Sequence, residues 1–362
     1  MTLSRTTVVD RIYALGTSIQ PINPAELAKA ARHLDQLTKP LGSLGHLESI
    51  AAQVVAIRGE GMKLPLKKAI YVFAADHGVA RAGVSAYPPE VTAQMVLNFL
   101  RGGAAINVLA RQHDAELTVV DAGVDADFEE GPGLRNMKVR RGSRNFLEEP
   151  AMTEAEMFAA LEMGLALADE ARLRGVDLVI AGEMGIGNTT AASAITAILT
   201  HRNPTEVTGK GTGLDEAGRN RKLNVIRRAL RKYFPDTSNV PVLDLLQCVG
   251  GLEIAAMTGF VLGSAQHRMI VVCDGFISTV AAAVAAGLVP NVKHYLVAGH
   301  CSEEPGHRFL LRQLGLDPIL RLNMRLGEGT GAALALPILE SAMRLYREMA
   351  TFESAGVSEA SV

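Results

Sequence analysis

The sequence predicts an α/β protein built on a mostly parallel β-sheet with helices on both faces. Two observations carry this. Short apolar runs recur along the chain, each ending in Gly or a polar residue and each followed by a helical pattern: residues 69–76 (AIYVFAAD), 117–121 (LTVVD), 176–181 (VDLVIA), 269–274 (MIVVCD) and 295–298 (YLVA). Runs without in/out alternation are strands buried on both faces, and their alternation with helices implies right-handed crossovers. The second observation is the stretch 176–199, VDLVIAGEMGIGNTTAASAITAIL, which reads as a complete strand, glycine turn and helix. Strand order is not readable at this level.

Taken in order, Asn23 followed by Pro24 reads as an N-cap with proline at the first helical position, opening a helix to about residue 37. KPLGSLG (39–45) is a loop, and Ser43 is expected to cap a second helix ending near Arg58. These helices precede the first strand and so form a separate helical element or a face for a partner. Further helices are expected over 88–101, 153–174, 215–233 and 276–288. Residues 125–150 are irregular and rich in charge, which reads as a solvated excursion. The last helix, about 330–349, contains Pro337 and is expected to kink there. The tail after Ser354 is expected to fray.

With 362 residues the chain has material for two domains on a prior of about 150 residues each. A formal net charge of −2 gives no global attraction to nucleic acid or membrane, so any bound anion must be held by local design. Cys248, Cys273 and Cys301 are odd in number and lack CxxC spacing, which fits neither a disulfide framework nor a zinc knuckle and suits a reducing cytoplasm. The first 16 residues lack the apolar core and cleavage site of a secretory signal. The apolar run 276–288 is too short and too Ala-rich to span a bilayer.

Ligands of open parallel sheets bind past the carboxyl ends of the strands. Those ends here read Asp76-His77-Gly78, Asp121-Ala122-Gly123, Gly182-Glu183, Asp274-Gly275 and Gly299-His300, and LGEGTG (326–331) places Glu328 between two glycines just before the final helix. Together they describe a glycine-floored cleft edged by carboxylates. In GEMGIGNTT (182–190) the backbone N–H groups and the positive end of the helix dipole favour a phosphate or carboxylate. Glu183 within that turn would repel a bare phosphate, which points to a ligand with hydroxyls beside its anion, such as a ribose. Taken alone, the turn is also what any strand-to-helix connection of an α/β sheet looks like.

TGKGTG (208–213) is a second glycine loop opening a helix, but Gly211 follows Lys210 where a P-loop ATPase needs Ser or Thr. Lys222, two turns into that helix, has the length to reach an anion, although a surface lysine is the more ordinary reading. HCSEEPGH (300–307) matches no metal-ligand spacing, and Glu304-Pro305 suits the first turn of a helix capped by Ser302 or Glu303. Asp76-His77 reads equally as an acid/base pair or as a loop anchor. A dehydrogenase is disfavoured because the glycines are spaced GxxGxG and no acidic residue ends a strand about 20 residues on. No adjacent carboxylate pair follows a strand, as a transferase using a pyrophosphorylated sugar and magnesium would need.

These motifs resemble the nicotinate-nucleotide:dimethylbenzimidazole phosphoribosyltransferases, which build the lower-ligand nucleotide of cobalamin. The similarity runs nearly end to end through KPLGSLGHLE (39–48), AADHGVA (74–80), the segment 85–110, GEMGIGNTTAA (182–192), TGKGTGLD (208–215), DGFIS (274–278), SEEPGH (302–307) and LGEGTGAA (326–333). The pair GEMGIGNTT and LGEGTGA is highly specific. The resemblance implies a Rossmann-like catalytic domain (63–330), a small helical domain from the chain ends (1–62 and 331–362), and a cytoplasmic homodimer acting on small molecules. No metal or cofactor is implied. It implies transfer of the phosphoribosyl group of nicotinate mononucleotide to a benzimidazole nitrogen, giving α-ribazole phosphate and nicotinate. Glu328 is then the general base, and Ser85, Tyr87, Gln94, Met184 and Leu326 line the aromatic base's pocket. Gly185, Gly187, Asn188, Gly211, Thr212, Lys222 and Ser302 hold the nucleotide's phosphate, with Glu183 and Asp274 toward the ribose. Transfer to another flat base, or nucleotide binding without turnover, are the rival readings.

Overall fold

A computed structural model describes residues 5–358, with side chains from residue 10 onward. Six strands, β1 (Lys68–Ala75), β2 (Glu116–Gly123), β3 (Leu134–Asn136), β4 (Leu178–Met184), β5 (Ile270–Cys273) and β6 (Leu296–Ala298), form one parallel sheet in the order β3-β2-β1-β4-β5-β6. Each of the five apolar runs is one of these strands, and β1 is buried at every position, as a strand covered on both faces must be. Register places Val72 between Val119 of β2 and Gly182 of β4. The chain winds outward in opposite senses from β1 and β4, so the crevice past their carboxyl ends is a topological switch point.

Residues 125–150 are only in part the solvated excursion that their charge suggests, for 127–136 is largely exposed while the rest is tied to the sheet edge. They supply β3 at the sheet edge and bury Phe146 completely. Lys138 Nζ lies 2.5 Å from Asp121 Oδ2 and donates to the carbonyls of Val124 and Ala126 at 2.7 and 2.8 Å, so this lysine closes the loop from within. Arg144 makes a two-pronged contact with Glu156, at 2.5 and 3.1 Å.

Three helices precede β1: α1 (Arg5–Ser18), α2 (Pro24–Gln36) and α3 (His46–Arg58). The Asn23 side chain caps α2 by accepting the Ala25 N–H at 2.9 Å. Ser43 caps nothing. Gly45, with φ of 55°, sets the start of α3, and Glu48 accepts the Leu44 N–H at 3.0 Å. The helix expected from residue 88 begins at Val91 and is followed by a second one, giving α4 (Val91–Leu100) and α5 (Ala105–Gln112). Next come α6 (Glu154–Leu173), α7 (Asn188–Leu199), α8 (Pro204–Val207), α9 (Glu216–Tyr233), α10 (Val242–Val249) and α11 (Leu252–Gln266). The chain ends with α12 (Phe276–Leu288), α13 (His307–Leu314), α14 (Thr330–Glu348) and α15 (Phe352–Ala355). α11 is buried along its length against α6 and strands β1, β2, β4 and β5, while α4, α5 and α14 pack elsewhere on the sheet.

α14 runs unbroken through Pro337. α15 extends one residue past Ser354 and is closed by Gly356 in a left-handed conformation, and residues 359–362 of the expected frayed tail lie outside the described region. Among the described residues no helix is long and apolar enough to cross a membrane, and no group of three or more His, Cys, Asp or Glu is placed to hold a metal ion.

Glu156 joins the 125–150 segment to the sheet layer while also closing the N-terminus of α6 through the Thr153 N–H at 2.7 Å. Burial pushes its carboxyl upward, but the Arg144 guanidinium and the Thr153 contacts outweigh this and hold it at about 2. Because the folded value lies below the unfolded one, the stabilisation is present above about pH 4.5 and is lost as pH falls toward 2. E156Q is therefore expected to cost about 1.5–3 kcal/mol at pH 7, with the difference from the parent protein shrinking below pH 4, as measured by urea unfolding across pH.

Candidate active site

A crevice of about 650 Å³, counting the part open to solvent, lies past the ends of β4 and β5. Its walls are the turn from Glu183 to Thr189, the loop at Gly211 and Thr212, the start of α12, and the segment Arg325–Gly327. Of the residues singled out from sequence, Glu183, Met184, Gly185, Asn188, Gly211, Thr212, Asp274, Ser302 and Leu326 line it.

The β4 turn needs glycine at Gly185, where a Cβ would run into the Ala75 carbonyl, and at Gly187. Gly187 has φ of 100° and heads α7, a backbone state that a side chain disfavours. Glu183 is buried and its Oε2 accepts a hydrogen bond from Asn188 Nδ2. Burial, reinforced by the nearby charge of Glu253, pushes the Glu183 carboxyl up to about 8. A neutral Glu183 removes the repulsion toward an anion that the sequence raised.

Lys222 is not a surface lysine. It is fully buried, and its Nζ donates to Thr189 Oγ1 at 2.8 Å, directly under the first turn of α7. Burial lowers it to about 8. The helix N-terminus and this ammonium place positive potential on one side of the crevice. The second glycine loop is different in kind: the Gly211 N–H donates to Glu304 Oε1 at 2.8 Å, and the Gly211 carbonyl accepts from Arg325 Nη1 at 2.9 Å. Gly211 thus shapes the wall, and its amide is already spent. Glu304 is correspondingly not in the first turn of a helix, since α13 starts at His307 after Gly306. Its role in tying the loop was invisible because the two partners lie 93 residues apart.

The rim opposite is held by Asp274, which is buried and accepts from the backbone N–H groups of Gly329 at 3.2 Å and Ala332 at 3.0 Å. Burial raises its pKa. Both oxygens thus cap the start of α14 and fix the loop that carries Glu328. Glu328 is 6% exposed, with φ of 63°, and its carbonyl packs against Gly182 so closely that a Cβ there would run into it. The Glu328 carboxyl contacts the Ile106 N–H, Oε2 has no partner, and burial lifts it to about 7. The burial comes from β4 and α5 rather than from Leu326, which is 56% exposed. Glu328 flanks the crevice and does not itself line it.

Ser85 reaches the crevice edge, with its Oγ 3.5 Å from Thr212 Oγ1. Tyr87 and Gln94 are exposed and stand outside the lining. His300, placed at a strand end from sequence but given no role, lines the crevice, as do Phe276, Ile277 and Ser278, which were not assigned to it. Ser302 is set by His307, whose Nδ1 accepts the Ser302 N–H at 2.9 Å and which burial keeps neutral, at about 3. Asp76 and Asp121 are loop anchors: they accept the N–H groups of Asp125 and Val124, each at 2.8 Å.

A glycine-walled crevice at the switch point of a parallel sheet, with a buried cation beneath a helix N-terminus and carboxyl groups around the rim, is the equipment of an enzyme that grips a sugar phosphate. The family model described as phosphoribosyltransferase matches residues 19–357. The chain belongs to the family of nicotinate-nucleotide–dimethylbenzimidazole phosphoribosyltransferases and is an enzyme of that type. It is 53% identical over 341 residues to the enzyme of that name from Geotalea uraniireducens, covering 94% of this chain and 96% of the relative. It is 51% identical to the one from Geobacter metallireducens, covering 95% and 97%. The crystal structure of CobT from Thermus thermophilus superimposes with a TM-score of 0.89 at 46% identity, covering 93% of this chain and 100% of that one.

The contact between Gly182 and the Glu328 carbonyl allows no side chain at that point of β4. G182A is expected to push the Glu328 loop away, lowering stability by about 1–3 kcal/mol in urea unfolding and bringing the Glu328 carboxyl toward ordinary acidity.

Proposed function

We propose that the chain transfers the phosphoribosyl group of nicotinate mononucleotide to dimethylbenzimidazole, forming α-ribazole phosphate and nicotinate for cobalamin nucleotide-loop assembly. Nicotinate departs from a cationic pyridinium, so leaving neutralises charge and calls for no general acid. The benzimidazole gains positive charge as it attacks and must lose its N–H proton. The observation that carries the reading is the Glu328 carboxyl: buried, poised at about 7, and with one oxygen unpartnered on the loop bounding the crevice. A base so tuned contributes about 10²- to 10⁴-fold. Attack from the face opposite nicotinate inverts the anomeric carbon from β to α, with both rings in one cleft on either side of the sugar.

In this reading Lys222, Asn188 and the Gly185–Gly187 turn hold the phosphate, Glu183 faces the ribose, and Asp274 acts by holding the Glu328 loop. We also read residues 1–62 and 331–362 as one small helical domain. Packing of α14 on α3 and the His33 Nε2 contact with the Tyr346 carbonyl at 2.8 Å support that division. The working form is a cytoplasmic homodimer, as the family resemblance implies.

E328Q is expected to bind nicotinate mononucleotide nearly as well as the parent while releasing nicotinate at least a hundredfold more slowly; near-normal release would remove Glu328 from the base role. Activity should rise with pH through about 7 as Glu328 ionises, and fall above about 8 as Lys222 loses its charge and Glu183 gains one. A pH–kcat/KM profile reads both limbs.

One observation supports a wider acceptor range. Tyr87 and Leu326, assigned to the acceptor, are 52% and 56% exposed, so that end of the cleft encloses no single ring shape. Competition among dimethylbenzimidazole, unsubstituted benzimidazole, a purine and a phenol is expected to give product ratios within about a hundredfold for the benzimidazoles, consistent with the discrimination that a methyl group or two supplies.

A further inference from the structure

Beneath the crevice floor lies a pair that the proposed chemistry leaves unused. His77, just past β1, and Glu253, in the first turn of α11, have fully buried side chains, with Nε2 and Oε1 2.6 Å apart. The imidazole is wedged between two backbone segments. Its Cδ2 and Cβ lie 3.4 and 3.3 Å from where a Cβ would stand at Gly185 and Gly187, and a Cβ at Gly251 would run into its Cε1. Gly251 has φ of −162°, an extended conformation open to any residue, so the ring, with the Glu253 carboxyl beside it, is what demands a glycine there. His77 Nδ1 and Glu253 Oε2 are buried and have no partner.

We propose that His77 and Glu253 are positioning residues for the nucleotide end of the active site, seating the Gly185–Gly187 turn, and with it Glu183, from below. The proposal rests on the reading that Glu183 and this turn hold the nucleotide. The groups bearing on the Glu183 carboxyl are Glu253 of α11, Asn188 of α7, Asp274 after β5 and Glu328 before α14. After burial itself, Glu253 is the largest influence, and it favours the protonated form. Asn188 acts the other way by donating a hydrogen bond. Among the described residues His77 is the one side chain bonded to Glu253, so it bears on where both Glu253 and the turn rest.

H77F, which keeps a flat aromatic ring and removes the hydrogen bond, is expected to raise KM for nicotinate mononucleotide at least tenfold while KM for the acceptor base stays within about twofold. H77Q, which can still donate to Glu253, should recover nucleotide KM to within about threefold of the parent. A merely structural role would move both constants together, or neither, and either result overturns the proposal. E253Q guards against an H77F chain that fails to fold. In carbon-13 NMR of glutamate-labelled protein, with the Glu183 signal assigned through E183Q, its titration should move to lower pH by more than about 0.5 in E253Q. An unmoved titration overturns the proposal. If the parent protein releases no nicotinate, the proposed reaction fails on its own, and the Glu183 titration still decides the coupling.

Discussion

Four carboxyl groups, Glu183, Glu253, Asp274 and Glu328, are withdrawn from water around the ends of β1, β4 and β5. An ionised carboxylate so placed costs several kcal/mol unless it is paired, hydrogen-bonded or protonated, and this constraint organises the region. Asp274 receives two backbone N–H groups and thereby stitches the end of β5 to the start of α14. Glu253 is matched by His77. Glu183 has the Asn188 amide, and Glu328 keeps one oxygen without any partner. Asp274 thus builds the frame, while Glu183 and Glu328, pushed up to about 8 and 7, stand in the wall of the crevice and beside it respectively. Separated proton affinities among neighbouring acids mark places where an acid or base can act near neutrality.

The strands and their polar ends were legible because parallel strands are apolar on both faces, which leaves a signal that needs no periodicity. β3 was not: Leu134, Arg135 and Asn136 are at most half-buried, and what holds them at the sheet edge is Lys138 reaching underneath to Asp121. α11 escaped for the opposite reason, since a helix buried on every side carries no amphipathic stripe. Charge alone misled at Lys138 and Arg144, which look solvated but are spent on Asp121 and Glu156.

The candidate site was legible as a set of loops, and its internal wiring was not. A lysine among Arg219, Arg221, Arg227 and Arg228 has nothing in its local sequence to mark it as the buried one. What singles out Lys222 is tertiary: α9 lies against α7, and Thr189 offers the hydroxyl that meets its ammonium. His77 and Glu253 are 176 residues apart, and Gly211 and Glu304 are 93 apart. A spacing rule sees neither pair, because both are made by strand order, and strand order is what the sequence withholds.

The same wiring bears on how the crevice would treat a nucleotide. With the Gly211 amide given to Glu304, the positive potential is concentrated at the first turn of α7 and at Lys222, both on the β4 side. A phosphate drawn there lies beside Glu183, which near neutral pH is protonated and so does not oppose it. The Glu328 loop stands across the cleft, packed on Gly182 and pinned by Asp274. Charge separation of this kind would orient a nucleotide with its phosphate toward the first turn of α7 and Lys222 before any bond changes.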